Sequence, residues 1–188
     1  FKARVESSVD NSTVLLYLLF QKSILPLIIG ENATPTLILR IFDIAQLFFD
    51  KQLQIPPSED IVITICNILK KNIDDPKDLM LEIGSSGLLL IPRYLPKPIE
   101  VSIAAYLVVV VLDYLTKKTH DLGSESLQSL KAILLAIKSD ATSILPGTSV
   151  ALVTVITGGK LRGTDAANAY ELLTWLWTEN ELREEDKK

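Results

Sequence analysis

The sequence is poor in the residues from which most catalytic and metal sites are built. Its 188 residues include a single cysteine, Cys66, and a single histidine, His120. One cysteine cannot form an internal disulfide or a cysteine-based metal cluster, and one histidine cannot build a multi-histidine metal site. Cys66 lies in an apolar stripe, where a small buried side chain is the expected role. We therefore expect no enzyme, no catalytic residue, no metal, no cofactor and no small-molecule substrate.

A phosphate-binding loop is also missing. The run Gly158-Gly159-Lys160 resembles the last residues of a phosphate-binding loop, but Thr154 occupies the position of that motif's first glycine. No serine or threonine follows Lys160 to hold a magnesium ion. The glycines are therefore predicted to end a helix.

Positive charge is scarce as well. The formal net charge is −4, which argues against a dedicated nucleic-acid binder because phosphate neutralisation needs a basic field. A local basic edge would leave nucleic acid open as a partner. Lys70 and Lys71 close one predicted helix, and Lys117 and Lys118 close another. These four lysines form the candidate basic edge, with simple complementarity to the helix dipole as the alternative.

Long apolar runs are absent too. The longest uncharged apolar run, residues 101–112, is about half of the roughly 20 residues that a spanning helix needs, so no membrane span is expected. The single cysteine favours an intracellular protein, cytoplasmic or nuclear, although two N-x-T sequons at Asn11 and Asn32 weigh the other way. Phe1 is not an initiator methionine, and we expect the chain to be part of a longer protein.

Hydrophobic residues are abundant at 48%, and they are concentrated in predicted helices. The central stretch, residues 98–118, is apolar on nearly every side, so neighbouring helices must cover it. Pro98 suits its first turn, while Ser102, Tyr106 and Asp113 share its one polar face and Leu107 faces the core. Capping residues and helical periodicity predict further helices. Their ranges are 14–30, capped by Asn11, Ser12 or Thr13 and kinked or split at Pro26; 35–52, capped by Thr34; 61–72, capped by Ser58; 75–81, followed by a break from Gly84 to Gly87; 124–140; 145–160; and 164–182.

Two of these stretches, 61–72 and 145–160, are rich in β-branched residues that also suit strands. The first is capped like a helix, and no second strand-like run stands beside the other, so a sheet has no material to form from. The predicted class is all-α. We interpret the chain as one domain over residues 1–188 with a frayed charged tail at 181–188.

The spacing of the helices indicates a repeat. Taken in pairs, the first members begin near Ser12, Ser58, Pro98 and Thr148, at intervals near the helical-repeat range of about 40–47 residues. The alternative grouping is three triplets, whose final helices start near residues 36, 99 and 165. Either grouping predicts a solenoid of stacked helices.

Two stretches resemble the armadillo pattern of a glycine, an apolar second helix, a short polar or proline turn and a third helix with small residues. They are EIGSSGLLLIPRYLPKPIEVSIAAYLVVVVL at 82–112 and FQKSILPLIIGENATPTLILRIFDIAQLFF at 20–49. The resemblance to armadillo and HEAT-like proteins implies a right-handed α-solenoid of about three to four repeats. It also implies a scaffold that binds a peptide or helix of a protein partner along a groove of third helices.

The candidate partner-binding residues lie on polar faces of three predicted helices. In the last helix Trp175 is expected to stand out from a polar stripe, and Trp177 is expected in the core. An exposed tryptophan in a groove is a typical binding anchor. The complete candidate set is Trp175, Glu171, Asn168, Tyr106, Ser102, Asp113, Arg40 and Asp43. The alternative function is structural, as an interior section of a larger solenoid or assembly, possibly one associated with chromatin or nucleic acid, without a ligand groove of its own.

Overall fold

The computed structural model describes residues 15, 18–28, 33–50, 57–75, 78–137, 145–159 and 161–185. Within them the regular structure is helical, and Ile99 and Ile137 form an isolated bridge, so the all-α class is confirmed. A first helical segment comprises a π turn, Phe20–Ile24, and a 3-10 turn, Leu25–Ile28. The α-helices are α1 (Pro35–Asp50), α2 (Glu59–Asn72), α3 (Asp78–Tyr94), α4 (Val101–Lys117), α5 (Thr119–Ala136), α6 (Leu145–Thr157) and α7 (Gly163–Glu185).

The contacts between helices follow two series. We call α1, α3, α5 and α7 the odd row, because α1 packs against α3, α3 against α5, and α5 against α7. In the even row, α2 packs against α4 and α4 against α6, and the first helical segment contacts α2. Between the rows, α2 packs on α3, α4 on α5 and α6 on α7. The core therefore lies between the two rows and runs from one pair of helices to the next.

Local signals in the sequence place several helix ends correctly. The Thr34 hydroxyl accepts a hydrogen bond from the Leu37 N–H at 3.3 Å, which is the predicted cap of α1. The α6 helix ends at Thr157, and Gly159 follows with a φ of 65°, a conformation that glycine adopts without steric cost. Both β-rich stretches, now α2 and α6, are helices as predicted. The predicted caps of the first helix and its end at Gly30 lie outside the described residues.

The predicted kink at Pro26 is present as a change of helix type. A proline ring clashes with the carbonyl four residues before it and cannot donate an N–H. Here the preceding turn widens, since the Leu25 N–H donates to the Phe20 carbonyl, and Pro26 itself lies in the tighter 3-10 turn. Phe20, Leu25 and Ile28 stay buried across this change, so the apolar face of the segment is preserved.

The predicted helix break between Gly84 and Gly87 is wrong, because α3 runs through both glycines. A Cβ on Gly84 would lie 2.7 Å from Leu122 Cδ1 and 2.9 Å from Tyr114 Cε1. A Cβ on Gly87 would lie 2.8 Å from Leu69 Cδ2. The glycines therefore provide space for neighbouring helices to approach, and their cost to helix propensity is offset by that packing.

A hydrogen bond from α5 compensates for the backbone donor that a proline inside α3 lacks. Pro92 has no N–H to donate to the carbonyl of Leu88, four residues earlier. The Ser129 hydroxyl of α5 donates to that carbonyl, and Ser129 is fully buried. This bond satisfies a polar group that would otherwise be unpaired in the core.

The central helix α4 starts three residues later than predicted, and Pro98 precedes it. The Ile99 N–H donates to the Ala136 carbonyl at 3.0 Å, and Ile99 pairs with Ile137 in the bridge, so the chain is still extended there. The predicted faces of α4 are otherwise correct. Leu107 is fully buried, while Ser102 is exposed and Tyr106 and Asp113 are half-buried.

The length and apolar character of a helix decide whether it can span a bilayer. A spanning helix needs about 20 predominantly apolar residues. None of the helices in the described ranges combines the length and the apolar character that a membrane crossing requires.

Candidate partner-binding surfaces

The first cleft of the odd row lies between α1 and α3 and has a volume of about 420 Å³. Arg40 and Asp43 line it from α1 and form a salt bridge of 3.7 Å with both side chains largely exposed. The remaining lining residues are Thr36, Leu39, Leu79, Glu82, Ser85 and Ser86. The cleft thus offers both charge signs and several hydroxyl groups to a ligand over an apolar floor.

An equivalent cleft between α5 and α7 has a volume of about 250 Å³. Asn168 and Glu171 of α7 line it, and the Lys131 ammonium of α5 donates to Glu171 Oε1 at 3.1 Å. Ser124, Leu127, Gln128 and Leu172 complete its walls. Both clefts are smaller than or at the lower end of the ~300–1,000 Å³ typical of small-molecule sites, and both suit single side chains of a larger partner.

A third contact joins the two clefts through the middle of the row. The Ser85 hydroxyl of α3 donates to Glu125 Oε1 of α5 at 2.9 Å. Polar side chains therefore follow one another across all four helices of the odd row, with hydrogen-bond donors and acceptors at each step. Such a surface can bind the peptide groups and polar side chains of a protein segment laid across the helices.

The candidate residues of α4 lie in the other row. The Tyr106 hydroxyl donates to Asn67 Oδ1 of α2 at 2.6 Å, so it already has a partner within the even row. Ser102 and Asp113 lie on the same face of α4. The predicted partner-binding set is therefore divided between the rows. The odd row contains Arg40, Asp43, Asn168, Glu171 and Trp175, and the even row contains Ser102, Tyr106 and Asp113.

The four lysines of the candidate basic edge come from the ends of the adjacent helices α2 and α4. Lys117 donates to Asp74 Oδ1 at 2.9 Å, and this hydrogen bond raises the pKa of Lys117, with Asp113 adding in the same direction. The Lys70 ammonium lies 5.7 Å from the centre of the Tyr106 ring. Lys71 is exposed and Lys118 is half-buried. Carboxylates thus offset part of the positive charge, as expected of helix ends that complement their dipoles.

The assignment of the two tryptophans is wrong. Trp177 is 54% exposed, whereas Trp175 is half-buried and packs against the core. The buried stripe of α7 is Ala169, Leu172, Leu173 and Leu176, which lies between the two faces that periodicity suggested. Both tryptophans flank this stripe, and the neighbouring helix rather than the sequence decides which flank is covered.

Several polar residues of the odd row were missed by the sequence reasoning. Ser85 lies within the predicted helix break, and Glu125, Gln128 and Lys131 were not singled out from the sequence. A signal was present in the spacing, because Ser85–Glu125 and Lys131–Glu171 are both bonded pairs 40 residues apart. A search of the sequence for donor and acceptor residues about 40 positions apart would have indicated these two pairs.

The thiol of Cys66, the single cysteine of the chain, is shielded from solvent. Cys66 is completely buried in α2, and burial raises the pKa of its thiol far above its ordinary value. The thiolate is the reactive form of cysteine, so this side chain is inert at neutral pH. Among the residues that the structure describes, no group of histidine, cysteine and carboxylate side chains is arranged to hold a metal ion.

The odd row thus carries two polar clefts, one between α1 and α3 and one between α5 and α7. Comparisons with protein families, with characterised proteins and with solved structures find no match to it.

Proposed function

We propose that the chain is a segment of an armadillo/HEAT-like α-solenoid that serves as a non-enzymatic scaffold for a protein partner. The observation that carries the proposal is the spacing of its long-range hydrogen bonds. Side-chain hydrogen bonds between neighbouring helices and their end turns join residues 39 to 49 apart in sequence. A stack of units about 40–47 residues long would produce this pattern, since each unit contacts only its neighbours.

A backbone contact recurs at the start of successive units and supports grouping in pairs. The Ser58 N–H, just before α2, donates to the Tyr94 carbonyl at the end of α3. The Ile99 N–H, just before α4, donates to the Ala136 carbonyl at the end of α5. In both cases the entry to a first helix is tied to the exit of its second helix. The unit is therefore an antiparallel helical pair, with the odd row as second helices.

The odd row is the surface we assign to the partner. Its clefts carry donors, acceptors and both charge signs, which suits a peptide or helix whose polar side chains enter successive clefts. The affinity would come from several modest contacts repeated along the row.

The test begins with capture of a partner by residues 1–188 and its identification by mass spectrometry, followed by calorimetric titration of the purified pair. One variant, Arg40→Ala with Asp43→Ala, alters the α1–α3 cleft. A second, Asn168→Ala with Glu171→Ala, alters the α5–α7 cleft. These side chains are exposed, so the fold should tolerate both changes. Each variant is expected to weaken binding at least about 10-fold, as the loss of an interface anchor does.

The matched control is Ser102→Ala with Asp113→Ala, which removes polar groups from α4 in the even row. It should change the affinity by less than about 2-fold, in line with residues outside the contact surface. If the α4 variant weakens partner binding and both cleft variants leave it unchanged, the binding site lies in the even row. A partner insensitive to all three variants would refute a polar groove on either row.

A further inference from the structure

Each interface between helices of the odd row carries a glutamate on its later helix. Glu82 of α3 lines the cleft beside α1, Glu125 of α5 contacts α3, and Glu171 of α7 lines the cleft beside α5. These glutamates follow one another at intervals near the helical-repeat length of about 40–47 residues. They are therefore counterparts in successive units, and their surroundings can be compared.

The preceding helix supplies a donor to two of the three glutamates. The Ser85 hydroxyl donates to Glu125 Oε1 at 2.9 Å, and the Lys131 ammonium donates to Glu171 Oε1 at 3.1 Å. An ionised carboxylate can only accept hydrogen bonds, so it takes a hydroxyl, an ammonium or another donor. Glu125 and Glu171 thus show what a glutamate in this position of the unit binds.

The two clefts have the same plan on their first helix, and this identifies the counterpart of Lys131. The lining residues of α1 and of α5 follow one another at the same steps of three, one and three. They are Thr36, Leu39, Arg40 and Asp43 in α1, and Ser124, Leu127, Gln128 and Lys131 in α5. Asp43 therefore lies where the second cleft has Lys131. An ionised aspartate has no proton to donate, so it cannot serve Glu82 as Lys131 serves Glu171.

Glu82 has no hydrogen bond or ion pair with any residue that the structure describes. It is exposed in the α1–α3 cleft, and the Arg40 guanidinium lies 3.7 Å from the carboxylate of Asp43. The charged residues that line this cleft are thus two carboxylates and one guanidinium. Those of the α5–α7 cleft are one ammonium and one carboxylate, which are bonded to each other. The first cleft therefore carries excess negative charge, whereas the charge of the second is balanced.

We propose that the carboxylates of Glu82 and Asp43 bind the cationic head of a lysine or arginine side chain of the partner. This head takes the place that the Lys131 ammonium holds in the α5–α7 cleft, and its alkyl stem lies over the apolar floor formed by Leu39 and Leu79. Complementary charge of this kind selects one partner over another. The role of Glu82 rests on the proposed function, since it names the side chain that the first cleft of the scaffold accepts.

The probe is a library of random peptides displayed on phage and selected against the 188-residue chain. The selected peptides should share a lysine or arginine. Replacing that residue by glutamine in a synthetic peptide should weaken binding about 3- to 10-fold, the loss expected for a charge pair at a partly exposed site. Fluorescence anisotropy measures the affinity. Glu82→Gln should weaken binding of the basic peptide to a similar degree and largely remove its advantage over the glutamine peptide.

The matched control is Glu100→Gln, which removes the same charge from an exposed glutamate just before α4 in the even row. It should change the affinity for the basic peptide by less than about 2-fold, because salt screens a distant exposed charge.

A charge exchange separates recognition from a change in the fold. Glu82→Lys should bind the basic peptide poorly, and a peptide with glutamate in place of its basic residue should bind this variant better than it binds the wild type. Circular dichroism establishes that each variant is folded. If Glu82→Lys fails to fold, Asp43→Lys makes the same exchange in the same cleft.

Two kinds of failure are distinguishable. Peptides that are sensitive to the two double cleft variants described above, yet bind equally well with glutamine in place of the basic residue, overturn the role of Glu82 and leave the scaffold in place. So does an advantage of the basic peptide that is undiminished in folded Glu82→Gln. If no peptide is selected, or if the selected peptides are insensitive to both double cleft variants, the groove of the odd row is refuted together with the role of Glu82.

Discussion

The helices α4 and α6 are neighbours in the even row and are similar in composition, yet they are covered to different degrees. Both are rich in valine, and α6 lacks charge altogether whereas α4 contains Asp113 and Lys117. The α4 helix packs against α2, α5 and α6, while α6 packs against α4 and α7. As a result Leu107 of α4 is fully buried, and Val150 of α6 is mostly exposed. Burial in this fold follows the number of neighbours that a helix has, and composition does not predict it.

The largest expected difference between these regions comes from truncating one apolar side chain in each. Leu107→Ala should lower the free energy of unfolding by about 2–5 kcal/mol, since it leaves a cavity in a fully packed site. Val150→Ala should change it by less than about 0.5 kcal/mol, as exposed substitutions do. Urea denaturation measures both. Comparable losses in the two variants would mean that the last pair is covered as the inner pairs are.

The two tryptophans make the same comparison within one helix. Trp175→Ala should cost about 2 kcal/mol, less than a fully buried tryptophan, because its side chain is only partly buried against the core. Trp177→Ala should cost less than about 0.5 kcal/mol. Iodide quenching provides an independent check on dilute, monomeric protein. The fluorescence of the Trp175→Phe variant should be quenched more strongly than that of Trp177→Phe, and the reverse order would restore the assignment made from periodicity.

Two glycine-to-alanine substitutions compare a closely packed position with an open one. Gly84→Ala should destabilise the fold by about 1–2 kcal/mol, because the new methyl group meets Leu122 and Tyr114, which are themselves tightly packed. Gly147→Ala in α6 meets no atom within 4 Å and should stabilise by about 0.5 kcal/mol through reduced freedom of the unfolded chain. Thermal unfolding of both variants decides the signs. A stabilised Gly84→Ala chain would show that α3, α4 and α5 are less closely packed than the distances indicate.

The smallest effect is expected from single hydroxyl groups. The buried Tyr114 hydroxyl donates to the Leu69 carbonyl at 2.9 Å, so Tyr114→Phe should cost about 1 kcal/mol. Tyr170→Phe removes an exposed hydroxyl and should cost almost nothing. Denaturation curves at neutral pH compare the two.

The pH dependence of stability provides a further test of the Tyr114 hydroxyl. Burial raises the pKa of Tyr114 above its ordinary value of 10.0. The folded chain therefore keeps this proton at pH values where the unfolded chain has lost it, and stability falls as the pH rises above about 10. Tyr114→Phe should show a shallower fall of stability in alkali than the wild type.

The features that the sequence predicted correctly depend on a few adjacent residues. The Thr34 cap and the Gly159 stop involve only groups within about one turn of the chain, so a short stretch of sequence is enough to predict them. The apolar stripe of α5 is also local in origin, and Leu127, Leu130 and Ile133 are buried as its spacing predicts. The class of the fold follows from such signals.

The features that the sequence could not predict depend on distant residues. Gly84 was read as a helix breaker because its role is set by Leu122 and Tyr114, which lie on other helices. The flank of α7 that is covered is set by where α5 lies. The polar clefts needed the pairing of Ser85 with Glu125, which no single window of the sequence contains. The bonded pairs of the clefts lie 40 residues apart in sequence, beyond the reach of a local pattern.

The side-chain hydrogen bonds described above between neighbouring helices and their end turns join residues 39 to 49 apart, and this spacing has a consequence for how the protein opens. Because each helical pair is held chiefly by the pairs on either side, separating the last pair breaks one set of contacts and leaves the others in place. Amide hydrogens of α6 and α7 should therefore exchange with solvent through partial opening, while those of α3, α4 and α5 exchange mainly when the whole chain unfolds. In the 188-residue chain, opening of α6 and α7 would thus leave the contacts among α3, α4 and α5 in place.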